Sequence, residues 1–137
     1  MNQHSLLRAY LAGICVPTIF LLLVAAGFTF LRYVYNVPVP IERVIVFPMA
    51  VVPNLWGIWN IAFVSLLAPR HFSIGLFGAA LPLLLAPFGY TVAHLLQFPI
   101  PPYILSAAPM CIPVAMIIYY LAWKHLVGSL NSELGIA

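Results

Sequence analysis

Between Arg70 and Lys124 the chain carries no formal charge. A helix of roughly 53 residues would run about 80 Å, against a hydrocarbon core of ~30 Å, so this stretch has to fold back on itself as two membrane spans. The break between them falls at Gln97-Phe98-Pro99-Ile100-Pro101-Pro102, where closely spaced prolines withdraw backbone donors and favour extended chain. Backbone groups in hydrocarbon must pair within the protein, so helices are the expected form of each span.

Two more spans precede these. The apolar run from Tyr10 to Leu31, after Arg8, is about 22 residues, longer than the ~7–15 of a secretory h-region and suited to a crossing. Leu11-Ala12-Gly13-Ile14-Cys15 resembles a lipoprotein cleavage box, but Ile14 stands where a small residue should precede the cysteine. The expected spans are residues 10–35, 44–68, 72–97 and 103–123, with a polar tail over 124–137. Tyr33, Tyr35 and Trp123 serve as headgroup-level anchors, and Pro38 and Pro40 mark the first hairpin loop. The reading is an all-α integral membrane protein: a single domain of four transmembrane helices in a kinked bundle.

Composition agrees and narrows the function. At 65% hydrophobic, 5% charged and a mean hydropathy of +1.13, the chain cannot present an ordinary charged surface to water. Its net charge of +3 reports topology, because no basic stripe exists to follow a phosphate backbone; no nucleic-acid partner is expected, and the bilayer is. Arg8, Arg70 and Lys124 share one face and Arg32 and Arg43 the other, so positive-inside counting puts both termini in the cytoplasm of a cell with an inner or plasma membrane. Cys15 and Cys111 differ in expected depth by on the order of 10 Å, too far for a bridge, and read as small apolar side chains.

Sliding the chain on itself by 61 residues lays Asn36, Pro38, Pro40, Pro48 and Met49 on Gln97, Pro99, Pro101, Pro109 and Met110. This predicts two tandem two-helix hairpins inserted the same way up. The polar stretch at Asn54 to Asn60 has no counterpart in the second half, since Asn54 and Asn60 map onto Ala115 and Leu121.

That stretch holds the candidate site. Asn54 lies near mid-membrane, where a carboxamide needs a partner; Thr18 at similar depth, or the carbonyl of Met49 that Pro53 leaves without a donor, is expected to supply one. Trp56, Trp59, Asn60 and Phe63 recur at helical spacing on one face, with Gly57 allowing close approach. Gly75 with Ala79, and Gly78 with Pro82, form a helix-contact ridge on span 3, which would become a docking face if a larger partner is present. His94 sits between Thr91 and Gln97 as an interfacial histidine, a possible proton or ligand contact. Glu42 and Glu133 lie outside the spans, so no embedded acid serves a proton relay. No catalytic set, metal-ligand cluster or phosphate loop is present, and neither an enzymatic activity nor a metal or cofactor is expected.

The function expected from these residues is that of a non-enzymatic structural or accessory subunit, packed against its own copies or within a larger membrane complex. The alternative is a small homo-oligomeric transporter or channel, with Asn54, Trp56, Trp59, Asn60 and Thr18 along a midplane path.

Overall fold

The charge-free stretches become helices. The computed structural model describes residues 3–39, 41–100 and 102–136, and among them every regular element is helical. Four runs organise the chain: α1 (Gln3–Val34), α2 (residues 41–70), α3 (residues 74–95) and α4 (residues 102–133). All four are long and apolar enough to cross a membrane.

Only α1 is regular from end to end, with Pro17 accommodated inside it. In α2 the regular segment Ala50–Ala62 lies between two wide, π-helical turns, Ile45–Met49 and Phe63–Leu67. Pro48 falls in the first, where the changed turn accommodates a residue with no amide to give. The run then tightens into a short 3₁₀ turn, Ala68–Arg70, and is stopped by His71 in a left-handed conformation (φ 55°). α3 is interrupted at Ala80, between Ile74–Ala79 and Leu81–Leu95. The cause is Pro82, which sits in the first turn after the break, where its missing N–H removes no intrahelical bond.

The end of the chain departs from the expected polar tail. Helix α4 continues through a wide turn, Trp123–Val127, into Gly128–Glu133, and buries Trp123, Val127 and Asn131. These residues are spaced by four, and in a regular α-helix such a series drifts by about 40° per step. A wide turn takes up most of that drift, so all three are buried on one side of the helix. The expected start of span 2 at Val44 also moves, because Ile41–Val44 already forms a helical turn.

Close approach is set by glycines. A Cβ on Gly13 would stand 2.6 Å from the Trp56 carbonyl oxygen and 2.8 Å from Gly57 Cα, so α1 and α2 touch backbone to backbone. On α3, Gly75 faces the Tyr120 ring, 2.8 Å from where its Cβ would be, and Gly78 lies directly under Trp123. The two glycines of the span 3 ridge are therefore covered by α4 of the same chain. Ala79, on the same segment, is half-buried. The helices thus pair as α1 with α2 and α3 with α4. Asn36 and Gln97, which the 61-residue offset places in register, both adopt left-handed conformations (φ 53° and 55°) where the first and third helices end.

The core lies at the end where the termini meet. Trp56, Leu81, Trp123 and Val127 form one buried cluster, and Ala9, Phe63 and Val64 a second; Ile74 and Phe77 pack against both. The Arg8 guanidinium reaches the Leu134 carbonyl, joining the two terminal segments. Toward the hairpin loops burial falls away, and Tyr33, Leu95, Tyr103 and Met110 are between 70% and 79% exposed. At that end Arg32 pairs with Glu42 at 2.7 Å across the first loop.

Two outcomes follow. Gly78→Ala, which drives a methyl into the Trp123 ring, is expected to lower stability by about 1–3 kcal/mol in a detergent unfolding titration, while Gly27→Ala, inside α1 with nothing within 4 Å, does not lower it. The hydrogen bond from Arg32, followed by the backbone and the charge of Arg32, holds the Glu42 carboxyl below the usual range. A depressed folded pKa contributes stability above the unfolded value and loses it as the pH falls through the folded one. Side-chain ¹³C shifts of Glu42 should therefore titrate below those of an ordinary glutamate, and Arg32→Gln should move the titration up toward the ordinary range; both side chains are exposed, so the effect on unfolding is small.

Candidate functional site

The polar residues of α2 do not gather into one site. They divide between a buried lock and an open groove, facing different neighbours.

Asn60 belongs to the lock. Its Nδ2 donates to the Ala9 carbonyl at 2.8 Å and to Asn131 Oδ1 at 2.8 Å, and Asn131 Nδ2 returns a bond to Asn60 Oδ1 at 2.9 Å. Neither residue has any exposed surface. Each carboxamide acts as donor and acceptor to the other, the reciprocal pairing that two such groups make when they face across helices. Three elements are tied at this point: the start of α1, the second half of α2 and the end of α4. Asn131 was missed in the sequence because Lys124, His125, Ser129, Ser132 and Glu133 make the segment read as solvated. The signal available was the four-residue series Trp123, Val127, Asn131, together with a second apolar-flanked asparagine in need of a partner.

The tryptophans are packing elements. Trp59 stacks on Phe77, with centroids 4.5 Å apart and planes at 11°, and its Nε1 donates to the Phe77 carbonyl at 2.9 Å. Trp56 lies 4.9 Å from Tyr119 and 5.2 Å from Trp123. Among the described residues the buried indole N–H groups of Trp56 and Trp123 meet no acceptor, so contact area holds these two rings in place. Gly57, beside Tyr10 and Ile14, lets α1 come this close; Gly13, its partner in the crossing, was visible in the sequence as Ala9-x-x-x-Gly13 but went unused.

Asn54 is exposed and faces the other way. Its Nδ2 donates to the Ala50 carbonyl at 2.8 Å, and its Oδ1 accepts from the Tyr10 hydroxyl. The expected partners, Thr18 and the Met49 carbonyl, are not the ones it takes. Both residues instead join it around an open groove of about 220 Å³, whose walls also include Tyr10, Ile14 and Pro53. A second, larger cleft of about 900 Å³ lies between α1, α2 and α4; its walls are almost wholly apolar and include Cys15, Phe20, Trp56 and Tyr119.

At the loop end His94 is exposed, 6.4 Å from the Tyr90 ring centroid and tilted against it. Thr91 turns its hydroxyl to the Pro87 carbonyl at 2.8 Å, and Gln97 contributes only its backbone amide, to the His94 carbonyl at 3.1 Å. The three residues form no shared side-chain site. Among the described residues no group of three or more His, Cys, Asp or Glu side chains gathers to hold a metal.

The lock predicts a specific pattern of stabilities. Asn60→Leu or Asn131→Leu alone leaves a buried carboxamide short of partners and should cost about 1–3 kcal/mol. The double variant should recover part of that loss, giving a coupling of at least ~1 kcal/mol in a double-mutant cycle read by detergent unfolding.

No family model, no curated protein and no solved structure matches the chain.

Proposed function

We propose that this chain is an integral membrane protein of an inner or plasma membrane, with both termini cytoplasmic, acting as a non-enzymatic structural or accessory subunit. It packs against its own copies or a larger membrane complex. The carrying observation is the uneven core. In their most apolar windows α1 has 6% of its residues buried and α4 none.

Exposure of apolar side chains alone is what lipid requires. Exposed backbone is different. Pro87, Pro109 and Pro113 lie inside helices and withdraw the donors that the carbonyls of Leu83, Leu105 and Pro109 would use, and those three residues are exposed. In hydrocarbon each unpaired polar group costs several kcal/mol, so protein cover over this half is favoured. A neighbouring helix would supply that cover.

A second reading, a small homo-oligomeric transporter or channel, draws on the groove beside Asn54. Its support is narrower than the sequence suggested, because Trp56, Trp59 and Asn60 are occupied in packing, leaving Asn54 and Thr18 on open surface.

The test is the mass of the assembly extracted from its native membrane in mild detergent, with co-purifying chains identified. A stoichiometric larger partner is expected for an accessory subunit, and a closed set of copies for a self-associating one. A lone, lipid-surrounded monomer would overturn the proposal. A homo-oligomer whose solute flux in liposomes is abolished by Asn54→Leu would favour the transporter.

A further inference from the structure

We infer that the open groove between α1 and α2 is a binding site for a small neutral molecule carrying one hydroxyl or carboxamide on a short alkyl body. The argument begins with hydroxyls. Thr29, Ser65, Thr91 and Ser129 each return theirs to the carbonyl four residues back, the usual way a helix satisfies such a group without water. Thr18, half-buried on the groove, makes no such bond among the described residues.

Opposite it, Pro53 has no amide to give the Met49 carbonyl at the usual four-residue spacing, and one amide hydrogen of the Asn54 side chain goes to the Ala50 carbonyl. Asn54 keeps a second amide hydrogen and the Tyr10 oxygen keeps its lone pairs. The groove therefore offers donors and acceptors together and no formal charge. Such a set suits a hydroxyl or carboxamide, which gives and takes a hydrogen bond at one point. An ammonium or carboxylate would leave water for a site with no counter-ion.

Size and walls complete the description. A volume of about 220 Å³ is below the ~300 Å³ at which pockets for drug-sized ligands begin, so the occupant has few heavy atoms. Ile14, Leu21 and Pro53 form the apolar part of the wall and meet the alkyl body. The site stands apart from the lock at Asn60 and from the larger apolar cleft, and the inference does not depend on the accessory role.

The experiment titrates 1-butanol, with butylammonium in parallel, into the full chain in detergent micelles, following the methyl resonances of Thr18 and Met49. Saturable shifts confined to methyls around the groove are expected with butanol, and non-saturating shifts with butylammonium. Thr18→Val, which keeps the shape and removes the hydroxyl, should weaken butanol binding about tenfold, and Thr18→Ser should restore it. Shifts that rise linearly and appear equally on all four helices would show partition into the micelle and overturn the site. So would an unchanged affinity in Thr18→Val, or contacts from a second copy filling the groove. Equal saturation by butylammonium would overturn the neutral class.

Discussion

One pair of side chains closes this molecule. Asn60 and Asn131 exchange hydrogen bonds in a place with no exposed surface, and Asn60 also holds the Ala9 carbonyl. In an apolar interior the alternative to that pairing is an unsatisfied carboxamide, so the pair fixes which residues of three helices lie opposite one another. Burial of Trp123, Val127 and Phe63 supplies the contact area around it. Contact area tolerates sliding; two carboxamides that must meet do not.

The irregular helical turns have a role in this arrangement. The wide turns Phe63–Leu67 and Trp123–Val127 adjoin the lock on its two sides, one just after Asn60 and one just before Asn131. The second keeps the four-residue series Trp123, Val127 and Asn131 on one side, which a regular helix would rotate away. The glycines act in the same region. Gly13 and Gly57 bring the first two helices to backbone contact, and Gly78 receives the Trp123 ring. Among the described residues the opposite half, with its exposed prolines and aromatics, has no equivalent device, and on the proposed function its neighbours come from outside the chain.

The number of helices and their approximate ends were legible in the sequence, because charge and hydropathy alone decide how much chain a membrane can hold. The 61-residue offset predicts tandem hairpins, and Asn36 and Gln97 share a left-handed backbone conformation, but His71 at the end of the second helix has it as well, so that likeness does not single out the repeat. The direction each residue faces was not. Asn54 and Asn60 are six positions apart on one helix and reach entirely different surroundings. The end of α4 read as a tail because Lys124, His125, Ser129, Ser132 and Glu133 make it polar in composition, which hides the four-residue series of Trp123, Val127 and Asn131 that the helix buries. Gly75 and Gly78 were identified as a contact ridge, but a spacing of small residues does not say whether the covering helix belongs to the same chain.

Burial in this chain is concentrated at the end that the two asparagines close, and local stability is expected to follow it. Residue-resolved amide hydrogen exchange of the purified protein in micelles measures it directly, since opening free energies can be compared along each helix. Amides flanking Asn60, Leu81 and Val127 should exchange slowest, through the largest opening, while those of the loop-side halves of α1, α3 and α4 exchange through smaller openings. Protection that is uniform along the helices, or greatest near the hairpin loops, would contradict the account.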